Sequence, residues 1–250
     1  MLKRFALLAA TALSLAASPS LAQTKPAPVK NIVLVHGAWA DGSGWRGVYD
    51  ILRKDGYTVT VVGNPDSGVA EDAAATRRVL DRQNGPAILV GHSYGGVVIT
   101  EAGDHPNVAG LVYIAAFAPD VGENAFQFLP QGGEPPFTIT DGYAYLKREA
   151  FLGGFAPDVP IADREFMADS QVPIAFQAGL TPLTHAAWKT KPSWYLVASN
   201  DLIIPPDVER MFAKRMKAVT VEQVGSHVSF VADPSVAAKL IEDAAQGAAK

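Results

Sequence analysis

Short apolar runs alternate along the chain with longer segments that have the apolar spacing of helices. Apolar runs rich in β-branched residues occupy positions 31–35, 58–62, 86–90, 108–115, 193–198 and 219–224. Helical spacing covers 44–54 and 69–83, and a last helix is predicted from Pro234 onward. Strands that are apolar throughout and alternate with helices are typical of a parallel sheet with helices on both faces. The pattern therefore predicts an α/β fold.

The alternation lapses between Phe117 and Lys191, in a segment rich in glycine, proline and aromatic residues. Its aromatic side chains are Phe126, Phe128, Phe137, Tyr143, Tyr145, Phe151, Phe155, Phe166, Phe176 and Trp188. A stretch of this length without clear strands, inserted after a sheet strand, predicts a small helical cap at about 118–190. We expect most of these rings to form the core of the cap and about a third to face a substrate.

The first 22 residues have the composition of a secretory leader. Lys3 and Arg4 precede an apolar run, and Ser20-Leu21-Ala22 supplies small residues where a signal peptidase cleaves. The apolar run is short for a membrane-spanning helix, so a retained anchor is the less favoured interpretation. We predict a signal peptide at 1–22, a linker at 23–30, a domain at 31–250, and a periplasmic or secreted mature protein.

Composition excludes several classes of function. The 250 residues carry a formal net charge of −4, and loss of the leader, with its two cations and no acid, makes the charge two units more negative. An acidic product without a basic patch is a poor candidate for binding nucleic acid or, in its mature form, a membrane. The chain contains no cysteine, which excludes a thiol nucleophile and a cysteine-ligated metal.

One glycine motif suggests a nucleotide and is rejected on its context. Gly42-Ser43-Gly44-Trp45-Arg46-Gly47 matches G-x-G-x-x-G, but the dinucleotide fingerprint requires its first glycine directly after the strand. Here His36 to Asp41 intervene. The chain has neither G-x-x-x-x-G-K-[ST] nor H-E-x-x-H, so neither a cofactor nor a metal is expected.

One serine lies between glycines where an apolar strand turns into a helix, in Gly91-His92-Ser93-Tyr94-Gly95. This context predicts a nucleophile elbow, in which the turn forces the serine into a strained backbone conformation. Gly91 and Gly95 are required because a Cβ at either position would collide with the neighbouring strand or helix. Ser93 is therefore the predicted nucleophile, at a helix N-terminus whose dipole favours developing negative charge.

A serine hydroxyl needs a base within hydrogen-bond reach, and that base needs an orienting carboxylate. His227 follows the last strand at its carboxyl end, where catalytic groups of parallel sheets collect, and is the predicted base. The other histidines are interpreted differently: His36 and His92 as structural hydrogen-bonding residues, His105 as part of a surface turn, and His185 as a candidate for the lining of the pocket.

Asp201 follows the strand at 193–198 and reaches the same edge of the sheet, so it is the predicted acid. Two alternatives remain. Asp207 lies in the first turn of a helix, where the dipole alone favours an acid, and Asp120 follows another strand.

Acyl transfer also requires donors for a tetrahedral oxyanion. The backbone N–H groups of Tyr94, after the nucleophile, and of Ala38, in the loop after the first strand, are the predicted pair. The side chains of Tyr94 and Trp39 would then be free to shape the pocket. Trp39, Phe117 and His185 are the predicted substrate-binding residues.

In order and spacing these motifs resemble the α/β-hydrolase superfamily, in particular the group of plant-type methylesterases, hydroxynitrile lyases and their bacterial relatives. The resemblance runs from about Asn31 to the last helix. The segments that carry it are Val33-Leu34-Val35-His36-Gly37-Ala38, Gly91-His92-Ser93-Tyr94-Gly95-Gly96, Ser199-Asn200-Asp201 with Pro205, and Gly225-Ser226-His227. It implies the α/β-hydrolase fold and a Ser93–Asp201–His227 triad.

The resemblance leaves the reaction open, because relatives with this triad include esterases, lactonases, C–C hydrolases, cofactor-free haloperoxidases and dioxygenases, lyases and hormone receptors. Lyases of this group place a lysine after the catalytic histidine, where this chain has Val228. We expect an exported serine hydrolase that cleaves a small apolar carboxylic ester through an acyl-enzyme. The alternatives are a ligand receptor, a haloperoxidase or dioxygenase, and a C–C hydrolase. The oligomeric state is left open.

Overall fold

The computed structural model describes residues 27–130 and 132–249, and a six-stranded parallel sheet lies at its centre. The strand order is β2-β1-β3-β4-β8-β9. The bounds are Asn31–Val35 (β1), Thr58–Val62 (β2), Ala87–Ser93 (β3), Val108–Ala116 (β4), Ser193–Ala198 (β8) and Val219–Gln223 (β9). Every residue of β1, β3 and β8 is buried, as expected for strands covered on both faces. The predicted α/β fold is confirmed.

Helices cover the sheet in two groups. One group packs together as α1 (Arg46–Lys54), α8 (Ser229–Ala232) and α9 (Pro234–Gly247). The other consists of α2 (Val69–Asp81) and α3 (Gly95–Ala102), and α7 (Pro206–Met216) packs beside β8. Because the strands are parallel, the loops that leave the carboxyl ends of β1, β3, β8 and β9 lie along one edge of the sheet. The predicted site residues are in these loops.

The cap contains a small antiparallel sheet as well as helices. Its strands are β5 (Phe137–Thr140), β6 (Tyr143–Leu146) and β7 (Ile174–Ala175), and its helices are α4 (Arg148–Ala150), α5 (Ile161–Asp169) and α6 (Phe176–Leu180). The sequence pattern predicts only helices here. The turn Asp141-Gly142, with φ values of 50° and 82°, is a two-residue hairpin signature that could have revealed β5 and β6.

The N-terminal predictions lie mostly outside the described residues, since the predicted signal peptide and positions 23–26 precede them. Within the predicted linker, Val29 is buried and its N–H donates to the Ala245 carbonyl at 2.9 Å, so packing against α9 begins there. In the described part of the chain, no helix has both the length and the apolar character needed to cross a bilayer.

Candidate active site

Ser93 is the last residue of β3 and has a φ of 53°, in the left-handed region that non-glycine residues rarely adopt. The neighbouring glycines allow the turn to close. A Cβ at Gly91 would lie 2.5 Å from the Gly95 carbonyl oxygen, and a Cβ at Gly95 would lie 2.6 Å from the Val35 carbonyl oxygen. The turn therefore has the strained, tightly packed form that the sequence predicts for a nucleophile elbow.

The loop after β1 lies directly against this elbow. A Cβ at Gly37 would come within 2.7 Å of Ser93 Cβ and 2.9 Å of the His92 carbonyl oxygen. Glycine at this position lets the backbone approach the serine closely, and Ala38 follows at once. This placement supports the assignment of the Ala38 and Tyr94 N–H groups to the oxyanion site, which stays a prediction.

His227 and Asp201 form a buried hydrogen-bonded pair. His227 Nδ1 lies 2.6 Å from Asp201 Oδ2, with exposed fractions of 0% and 3% for the two residues. Asp201 Oδ1 accepts hydrogen bonds from the N–H groups of Ile203 and Ile204 at 2.6 and 2.9 Å. Because Nδ1 donates to a carboxylate, the lone pair of the neutral ring is on Nε2, which has no partner among the described residues. This is the arrangement of a general base awaiting a proton.

His92 anchors the loop that contains His227 to the nucleophile elbow. Its Nε2–H donates to the His227 carbonyl at 3.0 Å, and the two rings lie 4.7 Å apart between centroids. Burial holds the pKa of His92 well below its ordinary value, and the neighbouring His227 adds to this effect, so His92 remains neutral. This contact agrees with the structural role predicted for His92, and it anchors the loop of His227 to the residue that precedes Ser93.

The cap holds the same loop through Asp158, a residue that the sequence pattern does not single out. Asp158 Oδ2 accepts from the Ser226 N–H at 2.7 Å, and Oδ1 accepts from the Ser226 hydroxyl. Ser226 immediately precedes His227. No motif surrounds Asp158, so only the folded chain reveals this contact.

The Tyr94 side chain does not have the predicted role in shaping the pocket. Its hydroxyl is buried and donates to Asp72 Oδ2 of α2 at 2.8 Å. Burial raises the pKa of Asp72, and burial together with the nearby Asp72 raises the pKa of Asp66 well above its ordinary value. The expectation of a free side chain was wrong because a buried carboxyl group on α2 needs a hydrogen-bond donor.

Trp39 lines a cavity of about 460 Å³ between the cap and the loops of the sheet edge. Its indole N–H donates to the Ala144 carbonyl of β6 at 2.9 Å, and its ring stacks on Phe137 at 6.1 Å. Other apolar side chains that line this cavity include Phe126, Phe137, Phe176, Leu202 and Ile203. Ser93 is not among the lining residues and is 4% exposed.

Two predicted substrate-binding residues do not line this cavity. His185 lies at the surface with a half-exposed side chain, and its Nδ1 is 3.0 Å from Glu101 Oε1 of α3. Phe117 is buried and packs edge-on against Phe212, while its N–H donates to the Ser93 carbonyl at 3.2 Å. The prediction for His185 rested on its position near the end of the cap. That position does not indicate that Glu101 is its partner.

The two rival acids have other partners. Asp207 has a 94% exposed side chain and pairs with Arg210 at 2.9 Å, and Asp120 pairs with Lys189. Neither is hydrogen-bonded to a histidine in the described ranges, whereas Asp201 is. In the part of the chain that the structure describes, no group of His, Asp and Glu side chains could hold a metal ion.

A comparison with protein families gives the same assignment as the geometry. The sequence pattern of the alpha/beta hydrolase family matches residues 32–240. The chain belongs to the alpha/beta hydrolase family. The predicted resemblance to this superfamily is therefore confirmed, and the elbow and the histidine–aspartate pair lie where the fold places its reactive groups.

Individual relatives cleave esters or share the fold. The chain is 34% identical over 139 residues to a carbendazim hydrolyzing esterase of Nocardioides sp., covering 50% of this chain and 53% of that protein. It is 30% identical over 255 residues to a pyrethroid hydrolase of Sphingobium wenxiniae, covering 89% and 90%. The crystal structure of methylesterase MES16 from Arabidopsis has the same fold, with a TM-score of 0.69, 21% identity, and 86% and 98% of the two chains covered.

The pairing of Asp201 with His227 predicts a large loss of activity in Asp201→Asn. The amide would donate to Nδ1 and favour the tautomer with its proton on Nε2, which cannot accept the serine proton. We expect kcat to fall by roughly 10⁴-fold. Steady-state hydrolysis of a p-nitrophenyl ester measures this loss. Asp207→Asn is the matched control and should retain nearly full activity; the reverse ranking would assign the acid role elsewhere.

Proposed function

We propose that the protein is a serine hydrolase that cleaves a small apolar carboxylic ester through an acyl-enzyme. The protein is an ester-cleaving α/β hydrolase by family and by its relatives, and the proposal adds the mechanism and the class of substrate. The observation that carries it is the buried Asp201–His227 pair with an unpartnered Nε2, beside the strained turn at Ser93.

In this mechanism Ser93 Oγ attacks the ester carbonyl carbon while His227 Nε2 takes the hydroxyl proton. The carbonyl oxygen becomes an oxyanion, held by the N–H groups of Ala38 and Tyr94. The C–O bond to the alcohol then breaks, and His227 returns the proton to the leaving oxygen. A water molecule, deprotonated by His227, next attacks the acyl-enzyme and releases the acid and free Ser93.

The cavity under the cap supports a substrate with a large apolar part. Trp39 directly follows Ala38, and Ile203 lies two residues after Asp201, so the lining adjoins both the oxyanion loop and the acid loop. Aromatic rings of Phe126, Phe137 and Phe176 form the cap side. A volume of about 460 Å³ is suited to a small molecule, and apolar walls favour an aryl or alkyl group over a charged one.

We also propose that the mature protein acts outside the cytoplasm, on the basis of Lys3, Arg4, the apolar run and Ser20-Leu21-Ala22. N-terminal sequencing of protein recovered from the periplasm or medium should begin at Gln23 or within a few residues of it. Recovery of the chain with an intact Met1 in the membrane fraction would contradict this proposal.

A covalent intermediate on Ser93 predicts trapping by an organophosphate, whose tetrahedral phosphorus mimics the oxyanion intermediate. Mass spectrometry of the inhibited protein should locate one adduct on Ser93. Ser93→Ala should abolish labelling and reduce ester hydrolysis on the order of 10⁶-fold, as expected for loss of a triad nucleophile.

A matched control is Ser43→Ala, at an exposed serine in the 3-10 turn Gly42–Trp45 after β1, which should leave labelling and hydrolysis unchanged. An adduct on another residue, or substantial ester hydrolysis without Ser93, would overturn the acyl-enzyme. Oxygen consumption or peroxide chemistry that survives in Ser93→Ala would instead indicate a mechanism that uses His227 as a base without the serine.

A further inference from the structure

A second buried carboxyl group lies beside Asp201. Glu209 is in the first turn of α7 and has an exposed fraction of 0%. Its Oε2 accepts a hydrogen bond at 3.1 Å from the N–H of Ala198, the last residue of β8. Its Oε1 is buried and finds no donor among the described residues. Asp201 is held at the same residue of β8, because its N–H donates to the Ala198 carbonyl at 3.2 Å.

Two adjacent carboxyl groups in a buried site cannot both be ionised without a large electrostatic cost. Asp201 accepts from three donors, namely His227 Nδ1 and the N–H groups of Ile203 and Ile204. Among the described residues, Glu209 accepts from Ala198 alone. The carboxyl group that accepts more hydrogen bonds, Asp201, keeps the negative charge. The proton that the two carboxyl groups share therefore resides on Glu209.

The groups around Glu209 agree with this assignment. Tyr195 of β8 is fully buried and carries no charge, because burial raises its pKa well above the ordinary value. Within the described part of the chain, the cation that acts on Glu209 is Arg210, whose side chain is 42% exposed and bound to Glu222 and Asp207. Burial and the charge of Asp201 both raise the pKa of Glu209 well above its ordinary value.

We propose that Glu209 is a positioning residue for ester hydrolysis, which as a neutral acid donates its Oε1–H to the Asp201 carboxylate and holds Asp201 against His227. The inference rests on the proposed function, in which Asp201 orients the base. A carboxylate has about four acceptor positions, and three are occupied, so one remains for this donor. A neutral acid fixes the carboxylate without adding a charge that would compete for the imidazolium.

Two substitutions distinguish the effect of a hydrogen-bond donor at position 209 from the effect of a charge there. Glu209→Gln keeps the size, accepts from Ala198 through its amide oxygen, and donates to Asp201 through its amide N–H. We expect its kcat to stay within about threefold of the native value, with the acid side of the pH profile unmoved. Glu209→Leu has a similar volume but no donor, and loss of a hydrogen bond to a charged group predicts a fall in kcat of roughly 10- to 100-fold at unchanged KM.

These measurements use a p-nitrophenyl ester, and rates are expressed per active site counted by organophosphate titration. Glu222→Gln, on the exposed partner of Arg210, is the matched control and should behave as the native enzyme. A merely structural role for Glu209 would lower the unfolding temperature of Glu209→Leu and leave kcat per active site unchanged, which would overturn the proposal.

The protonation state is measured without reference to activity. The infrared difference spectrum between the native protein and Glu209→Gln should contain the C=O stretch of a neutral carboxylic acid. Carboxylate bands in its place, or movement of the acid side of the Glu209→Gln profile to lower pH, would mean that Glu209 carries a charge and would overturn the proposal. Failure of the native protein to label at Ser93 would refute the proposed mechanism, and the infrared result would still decide the state of Glu209.

Discussion

The buried hydrogen bond between His227 Nδ1 and Asp201 is the interaction on which the rest of the site depends. It leaves Nε2 as the only acceptor on the ring, and it exists because β8 and β9 are parallel neighbours whose carboxyl ends meet at one edge of the sheet. His92 fastens the loop of His227 to the elbow, and Asp158 fastens it to the cap. The base is thus held from three directions before any substrate binds, so little reorganisation accompanies the reaction.

Much of the framework is predictable from local pattern. The all-buried strands β1, β3 and β8 each contain a run of apolar residues. The predicted ranges 31–35 and 193–198 coincide with β1 and β8, whereas β3 continues to Ser93, three residues beyond the predicted end at 90. The elbow is predictable because steric exclusion at Gly91 and Gly95 demands glycine there. Asp201 and His227 are predictable as partners because both follow parallel strands, and the geometry of the sheet brings such loops together.

Long-range contacts are the part that pattern does not encode. The cap sheet is short and partly exposed, with only the Asp141-Gly142 turn to indicate it. Asp158 is 68 residues from its partner Ser226. Glu209 lies in the first turn of a helix, where the dipole already accounts for an acid, so its burial against Asp201 is invisible in the sequence. His185 likewise has its partner, Glu101, 84 residues away in the chain.

Nitrogen-15 NMR of the histidine-labelled protein measures the central interaction most directly. At pH values where the ring is neutral, we predict that His227 has its proton on Nδ1, in a far-downfield resonance coupled to that nitrogen, and that Nε2 has the shift of an unprotonated nitrogen. Asp201→Asn should move the proton to Nε2. A native spectrum in which His227 carries its proton on Nε2 would contradict the account, because that ring could not accept the proton of Ser93.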